Sequence, residues 1–458
     1  MKEDTISAIS TSLGEGAIGI VRMSGKEAFI IAEKIFVKKN RKIPKKNYVL
    51  NYGCIKDPEN NAIIDEVLIS FMPAPHTYTR EDVVEINCHG GIVPIKKILD
   101  LTLRLGARIA DPGEFTYRAF MNGRIDLSQA EAVIDIIRAR TETAGEVAAL
   151  QMGGSLSKKI DLIKTEIERI ITQIEVNIDF SHEDIEEINL EDIKDDIKNL
   201  IEEMNTLLET ADKGKLLREG IKTAIVGKPN VGKSSLLNAL LHEQRAIVTD
   251  IPGTTRDLLE ETINIKGLPL KVIDTAGIRK TEDLVEKIGV EKAEQLISES
   301  DLILFILDAQ TGIEEEDERI MEKVKGKRTI VIINKIDKVN EEEVKQLQSK
   351  IKEVLILKAS VKYGKGLPQL EEMISSLFFE KGIIITESLL ISNTRHKKSL
   401  EKSRKLLEEA QTGLEDGVPM DLITIDLKSS WDAMGEISGE NLDEKILGNI
   451  FSQFCIGK

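Results

Sequence analysis

Gly227-Lys-Pro-Asn-Val-Gly-Lys-Ser234 decides how this chain is read. The stretch has the form G-x-x-x-x-G-K-[ST]. It directly follows the apolar run Lys222–Val226 and opens the helical pattern Ser235–Leu241. A strand, a glycine-bearing turn and a helix in that order let backbone N–H groups wrap a polyphosphate. Lys233 then supplies the counter-charge, and the Ser234 hydroxyl is a ligand for Mg2+. Asn230, Val231, Gly232 and Ser235 complete the loop.

Three further elements follow in order. Asp274-Thr275-Ala276-Gly277 ends a strand-like run, where the carboxylate can hold Mg2+ through water and the Gly277 N–H can meet a γ-phosphate. Asn334-Lys335-Ile336-Asp337 follows the buried run Thr329–Ile333. The Asp337 carboxylate can accept both N1–H and N2–H2 of guanine; adenine offers no such pair, so the motif selects GTP over ATP. Ser360, after Val354–Leu357, can present its backbone N–H to guanine O6. With the runs Leu258–Ile265, Leu270–Ile273 and Leu302–Leu307, residues 219–380 alternate strands and helices. That alternation implies a mostly parallel sheet covered on both faces, an α/β unit of the GTP-hydrolysing kind.

Helical patterns flank this unit. Leu127, Ala130, Ile134 and Ile137 begin one at about residue 119. Ile160, Ile163, Ile167, Ile170 and Ile174 keep the spacing of a coiled-coil seam, which Leu190, Ile193, Ile197, Leu200, Met204 and Leu207 repeat. The spacing predicts two long helices folded back on each other at the polar stretch Asp179–Asn189. Residues 381–458 are helical again over Ser399–Ala410 and Asp421–Met434. The α/β unit is therefore expected to be inserted in one all-α domain, built from 119–218 and 381–458. Residues 1–118 read as α+β, with a strand at Val83–Asn87, the pair Gly90-Gly91 and a helix over Ile95–Leu105.

Of the 458 residues, 63 are Lys or Arg and 79 Asp or Glu, a net charge of −16. Taken alone, this argues against a nucleic-acid coat or an anionic-membrane binder. The excess is concentrated: acids outnumber bases 17 to 8 across 158–215, the solvent faces of the long helices. No apolar run approaches the roughly 18 residues of a membrane span, and the acidic N-terminus does not read as a secretory signal. Cys54, Cys88 and Cys455 lack disulfide or zinc spacing, so a cytoplasmic setting is expected.

Residues 222–370 resemble the Era-like group of translation-factor-related GTPases. Over nearly the whole chain, Gly14-Glu-Gly-Ala-Ile-Gly-Ile-Val-Arg22, Gly253-Thr-Thr-Arg-Asp257 and Cys455-Ile-Gly-Lys458 resemble the MnmE family of tRNA uridine-modifying GTPases. Ser360-Val361 departs from the usual Ser-Ala. The resemblance implies a K+ ion at Asn230, Thr249, Ile251 and Thr254, in a nucleotide loop that also includes Asp250, Pro252 and Gly253. It makes Thr255 the second Mg2+ ligand, with Lys233 and Glu286 catalytic. Glu286 would orient water, because Ile278 stands where Ras-type enzymes carry glutamine.

The same resemblance implies that 1–118 is a folate-binding and dimerising domain. A tetrahydrofolate derivative (the 5-formyl or methylene form) would be held by Arg22, Glu85, Arg124 and Lys458. Cys455, in a flexible tail, would be a nucleophile or one-carbon handler. A homodimer would join an MnmG/GidA-type flavoprotein in a heterotetramer that acts on the wobble uridine of certain tRNAs. Cys88-His89 is read as core packing, since adjacent strand residues face opposite ways. The rival reading is a ribosome-assembly GTPase. Such proteins commonly append a KH domain with a G-x-x-G loop, and none occurs after residue 381.

Overall fold

The computed structural model describes residues 4–39, 47–179, 189–243, 260–273, 295–352, 354–379 and 391–458. The first part comprises β1 (Ile6–Ile9), β2 (Gly16–Ser24), α1 (Ala28–Ile35), β3 (Phe36–Lys38), β4 (Asn51–Lys56), β5 (Ile63–Met72), β6 (Val83–Gly90), α2 (Ile92–Arg104), β7 (Arg108–Ile109) and α3 (Glu114–Met121). Its strands form one sheet in the order β3-β4-β5-β6-β2-β1-β7, antiparallel except for β1 with β7. Successive residues face opposite ways. Val21, Met23, Val67, Ile69, Val84 and Ile86 therefore enter a core shared with α1 and α2, while Arg22 and Glu85 lie on the other face. The β2–β6 register sets those two directly opposite each other.

The second part begins with α4 (Leu127–Arg138), α5 (Glu142–Met152), α6 (Ser155–Asp179) and α7 (Leu190–Glu219). Asp126 and Gln129 form a capping box that starts α4. Apart from Leu190, which is exposed, the seam residues of α6 and α7 are buried, but the two helices are not chiefly each other's partners. After the α/β unit come α12 (Thr394–Glu415), α13 (Met420–Ser438) and α14 (Glu444–Phe451), the intervening helices being introduced below. α6 packs mainly on α13, α7 on α12, and α12 on α13, around one apolar core. Lys428–Glu175 at 2.6 Å and Arg404–Asn205 at 2.7 Å mark the two crossing pairs. Heptad spacing identifies which face of a helix is buried, not which helix covers it. Of the expected turn Asp179–Asn189, residues 180–188 lie outside the described residues.

The third part is β8 (Ile221–Val226), α8 (Lys233–Glu243), β9 (Glu260–Ile265), β10 (Leu268–Ile273), β11 (Leu302–Asp308), α9 (Glu315–Lys323), β12 (Thr329–Asn334), α10 (Glu341–Lys350), β13 (Leu355–Lys358) and α11 (Leu367–Phe378). The sheet order is β13-β12-β11-β8-β10-β9, parallel except for edge strand β9. All seven residues of β11 are buried, as a strand covered on both faces requires. The fold is thus multidomain, with an α+β part, an all-α part and an α/β part, as the sequence predicts.

The chain leaves the helices through α7 and returns at Ile391. The two crossings touch at Gly214, where an added Cβ would lie 2.1 Å from the Ile391 carbonyl oxygen. No described helix is long and apolar enough to cross a membrane.

Candidate nucleotide site and an N-terminal polar cluster

The phosphate loop connects β8 to α8 at the C-terminal edge of the parallel strands, the edge where open α/β sheets bind ligands. Gly227 has φ +146°, and a Cβ there would meet the Ile306 carbonyl at 2.5 Å. Gly232 has φ +110°, and a Cβ would lie 2.4 Å from the Asn334 amide nitrogen. Only glycine fits either place. Asn230 adopts φ +62° and is exposed at the loop's tip. The Lys233 ammonium folds back on its own loop, donating to the Gly227 carbonyl at 2.5 Å and the Lys228 carbonyl at 2.7 Å. Burial lowers its pKa. A polyphosphate offers the charge this half-buried cation lacks. Ser234 follows at the start of α8, where its neutral hydroxyl suits Mg2+ as a ligand.

Two residues at strand ends tie the guanine motif to this loop. Asn334 is buried; its amide donates to the Val231 carbonyl at 2.8 Å and its oxygen accepts from Val361 N–H at 3.1 Å. Lys335 donates to the Asn230 carbonyl at 2.8 Å and pairs with Asp308 at 2.6 Å. Asp337 is exposed, and its carboxylate accepts from the Ser360 hydroxyl at 2.5 Å, which holds its pKa below the usual range. The Ser360 backbone N–H, which the sequence reading offers to guanine O6, donates to the Lys365 carbonyl at 2.9 Å where the loop closes on itself, and its hydroxyl orients Asp337.

Thr249, Asp250, Ile251, Pro252, Gly253, Thr254, Thr255, Asp274, Thr275, Ala276, Gly277 and Glu286 lie outside the described residues. So does the Gly253–Asp257 motif. β10 ends at Ile273, immediately before Asp274.

A second cluster lies on the open face of the N-terminal sheet. Arg22 pairs with Glu85 at 2.7 Å, both side chains about a quarter exposed or less. The Arg22 guanidinium lies 5.6 Å from the Phe115 ring centre and 6.0 Å from that of Tyr78; Arg124 lies 4.7 Å from Tyr78 on its own account. The C-terminal tail reaches the same place. The Gly457 carbonyl accepts from Arg22 at 3.4 Å and from the Ser10 hydroxyl at 3.1 Å. Gly457 has φ +91°, and a Cβ there would strike the Ile9 carbonyl at 2.4 Å. The tail is therefore docked, not loose as expected. Cys455 is exposed beside it, and Lys458 donates its N–H to the Cys455 carbonyl.

Arg22, Glu85, Arg124 and Lys458 thus meet in one region. Sequence reasoning missed Tyr78, Phe115 and Ser10, for which nothing local in the sequence is a signal; Gly457 lies inside the quoted Cys455–Lys458 motif, but its contact with Arg22 is not written there. Cys88 is buried, and burial pushes its thiol up to about 11, whereas His89 is exposed and bonds Asp65 at 2.7 Å. The two do not form a catalytic pair.

A phosphate loop between β8 and α8, with a guanine motif at the end of β12, defines the class: a P-loop GTPase. The remainder of the chain narrows this. A model described as GTP-binding protein TrmE N-terminus matches residues 5–124, and one described as MnmE helical domain spans 127–455. Similar curated proteins, each named tRNA modification GTPase MnmE, come from Desulforamulus reducens (52% identical over 100% of both chains) and Clostridioides difficile (51%, over 100% of this chain and 99% of the other). A third, from Thermoanaerobacter sp., is 50% identical over 99% of each. This chain belongs to the MnmE family. Among solved structures, Era with MgGDPNP and a segment of 16S ribosomal RNA is 33% identical over 41% of this chain and 66% of its own. Its TM-score of 0.28 is too low to carry an inference.

Proposed function

We propose that the chain hydrolyses GTP as part of tRNA modification, in partnership with an MnmG/GidA-type flavoprotein, and that the one-carbon unit for wobble-uridine C5 comes from a tetrahydrofolate. The observation that carries the GTP half is the cross-linking of the phosphate loop to the guanine motif through Asn334 and Lys335. Lys233 and the loop amides would hold the phosphates, and Asp337, oriented by Ser360, would read guanine. Ser234 and Thr255 would ligate Mg2+, which shields the β- and γ-oxygens.

Asn230 fits a potassium site chemically: it is a neutral oxygen donor, exposed, at the loop's tip. With Thr249, Ile251 and Thr254 it would hold the ion, a fixed positive charge beside the departing phosphoryl group. Glu286 would orient water. On the N-terminal sheet, Glu85 suits pterin N–H groups, Tyr78 and Phe115 offer ring faces, and Arg22, Arg124 and Lys458 suit a carboxylate tail. Dimerisation through this domain and the flavoprotein partnership rest on family membership.

The test is GTP turnover by the purified chain at matched ionic strength. K+ should stimulate it over Na+, and Asn230→Ala should abolish that difference while leaving GTP bound through Lys233. Equal rates in the two salts would remove the potassium reading; no turnover in either, with or without the flavoprotein and tRNA, would remove the GTPase reading.

A further inference from the structure

Lys228 is the second residue of the phosphate loop, and its side chain turns away from the loop's tip. It is 8% exposed, while its neighbours Pro229 and Asn230 are exposed. Its ammonium lies 2.7 Å from Glu314 and 2.8 Å from Asp317, at the start of α9. Asp317 is fully buried. One of its oxygens takes Lys228 and the Glu314 N–H together, and the other has no hydrogen-bond partner. Glu315, Glu316 and Glu318 share that first turn. A helix start so rich in carboxylates, packed beside a site for a polyphosphate, repels the ligand unless a cation intervenes, and Lys228 is that cation. Its main-chain carbonyl is meanwhile one of the two acceptors of the Lys233 ammonium. One residue is thus tied to α9 by its side chain and to Lys233 by its backbone.

Resting on the nucleotide reading of this loop, we propose that Lys228 is a positioning residue for phosphate binding: its ion pair with Glu314 and Asp317 fixes the loop's first turn against α9 and neutralises the carboxylates behind it. Bound nucleotide adds its own hold on the loop, so the contribution falls on affinity more than on the chemical step.

The experiment measures affinity for a fluorescent GDP, KM and kcat for GTP, and melting temperature, all in the full chain. Lys228→Met should weaken GDP about tenfold and raise KM more than it lowers kcat. Lys228→Arg should stay within about twofold, because a guanidinium can span both carboxylates. Asp317→Asn should cost about threefold, and the double variant Lys228→Met/Asp317→Asn should be no weaker than Lys228→Met alone, since the partners act as a unit. Additive losses, or a lowered melting temperature with unaltered affinity, overturn the proposal. If Lys228→Met does not fold, unaltered affinity in Asp317→Asn overturns it alone. A wild-type chain that binds no GDP overturns the nucleotide reading instead.

Discussion

The phosphate loop and the N-terminal cluster are built in opposite ways. In the first, eight consecutive residues running from the end of one strand into one helix carry the two left-handed glycines, Lys233 and Ser234. In the second, Ser10, Arg22, Tyr78, Glu85, Phe115, Arg124 and Gly457 come from β-strands, loops, one helix and the C-terminal tail. A locally encoded site survives rearrangement elsewhere; a dispersed one is a by-product of the whole fold and fails when any contributor shifts.

The largest effect should come from the local site. Asp337→Asn breaks the acceptor pair for guanine N1–H and N2–H2, so preference should swing from GTP to xanthosine triphosphate by on the order of 10⁴. Competition binding of the two nucleotides checks this. Retained GTP preference would mean that the guanine contact is dispersed too, and the contrast would collapse.

A third cluster extends the comparison, being dispersed around the buried pair Glu131 and His396. Glu131 of α4 accepts from Asn393 at 2.9 Å, Arg395 at 2.7 Å and His396 at 2.7 Å, at the point where the chain returns from the α/β unit. Arg218, at the end of α7, pairs with Asp135 at 2.8 Å nearby. Burial opposes ionisation of Glu131, but His396 and Arg395 hold its carboxyl down at about 2. A carboxyl held below its usual 4.5 contributes stability above that pH and loses it as pH falls below it. His396 is held below its ordinary 6.5 by burial, so below that pH the unfolded chain gains a proton the folded one refuses. Asp135, raised by burial, runs the other way. The net expectation is acid lability of the helical bundle, reduced between pH 4.5 and 3 in Glu131→Gln, which should be less stable at neutral pH. The chain's one tryptophan, Trp431, lies in α13 and reports it by fluorescence.

The smallest effect should come from Gly457→Ala. A Cβ at φ +91°, against the Ile9 carbonyl, should undock the tail and weaken a reduced folate about tenfold by calorimetry. Unaltered folate affinity would show that Arg22 and Glu85 suffice without the tail.

Legibility followed the same division. The runs Leu302–Leu307 and Thr329–Ile333 are strands within a residue of the expected limits, because burial on both faces leaves them uniformly apolar. The phosphate loop was legible because its chemistry is contiguous. Arg22 and Glu85 were named only through resemblance; their pairing depends on strand register, which no local pattern records. Lys228 was passed over inside the motif itself, since its partners Glu314 and Asp317 lie 86 and 89 positions away, on a helix whose acids look like ordinary surface charge. The partners of α6 and α7 are likewise set by helices far along the chain.

The hydrogen bond from Arg22 to the Gly457 carbonyl spans 435 positions. During synthesis at about 5–20 residues per second, that distance is tens of seconds of elongation. The N-terminal sheet can pair its strands early, yet Arg22 and Ser10 wait for the carbonyl that completes their surroundings until residue 457 has been made. The contact on that face therefore closes only after the residues of the helical bundle and the α/β unit have been synthesised.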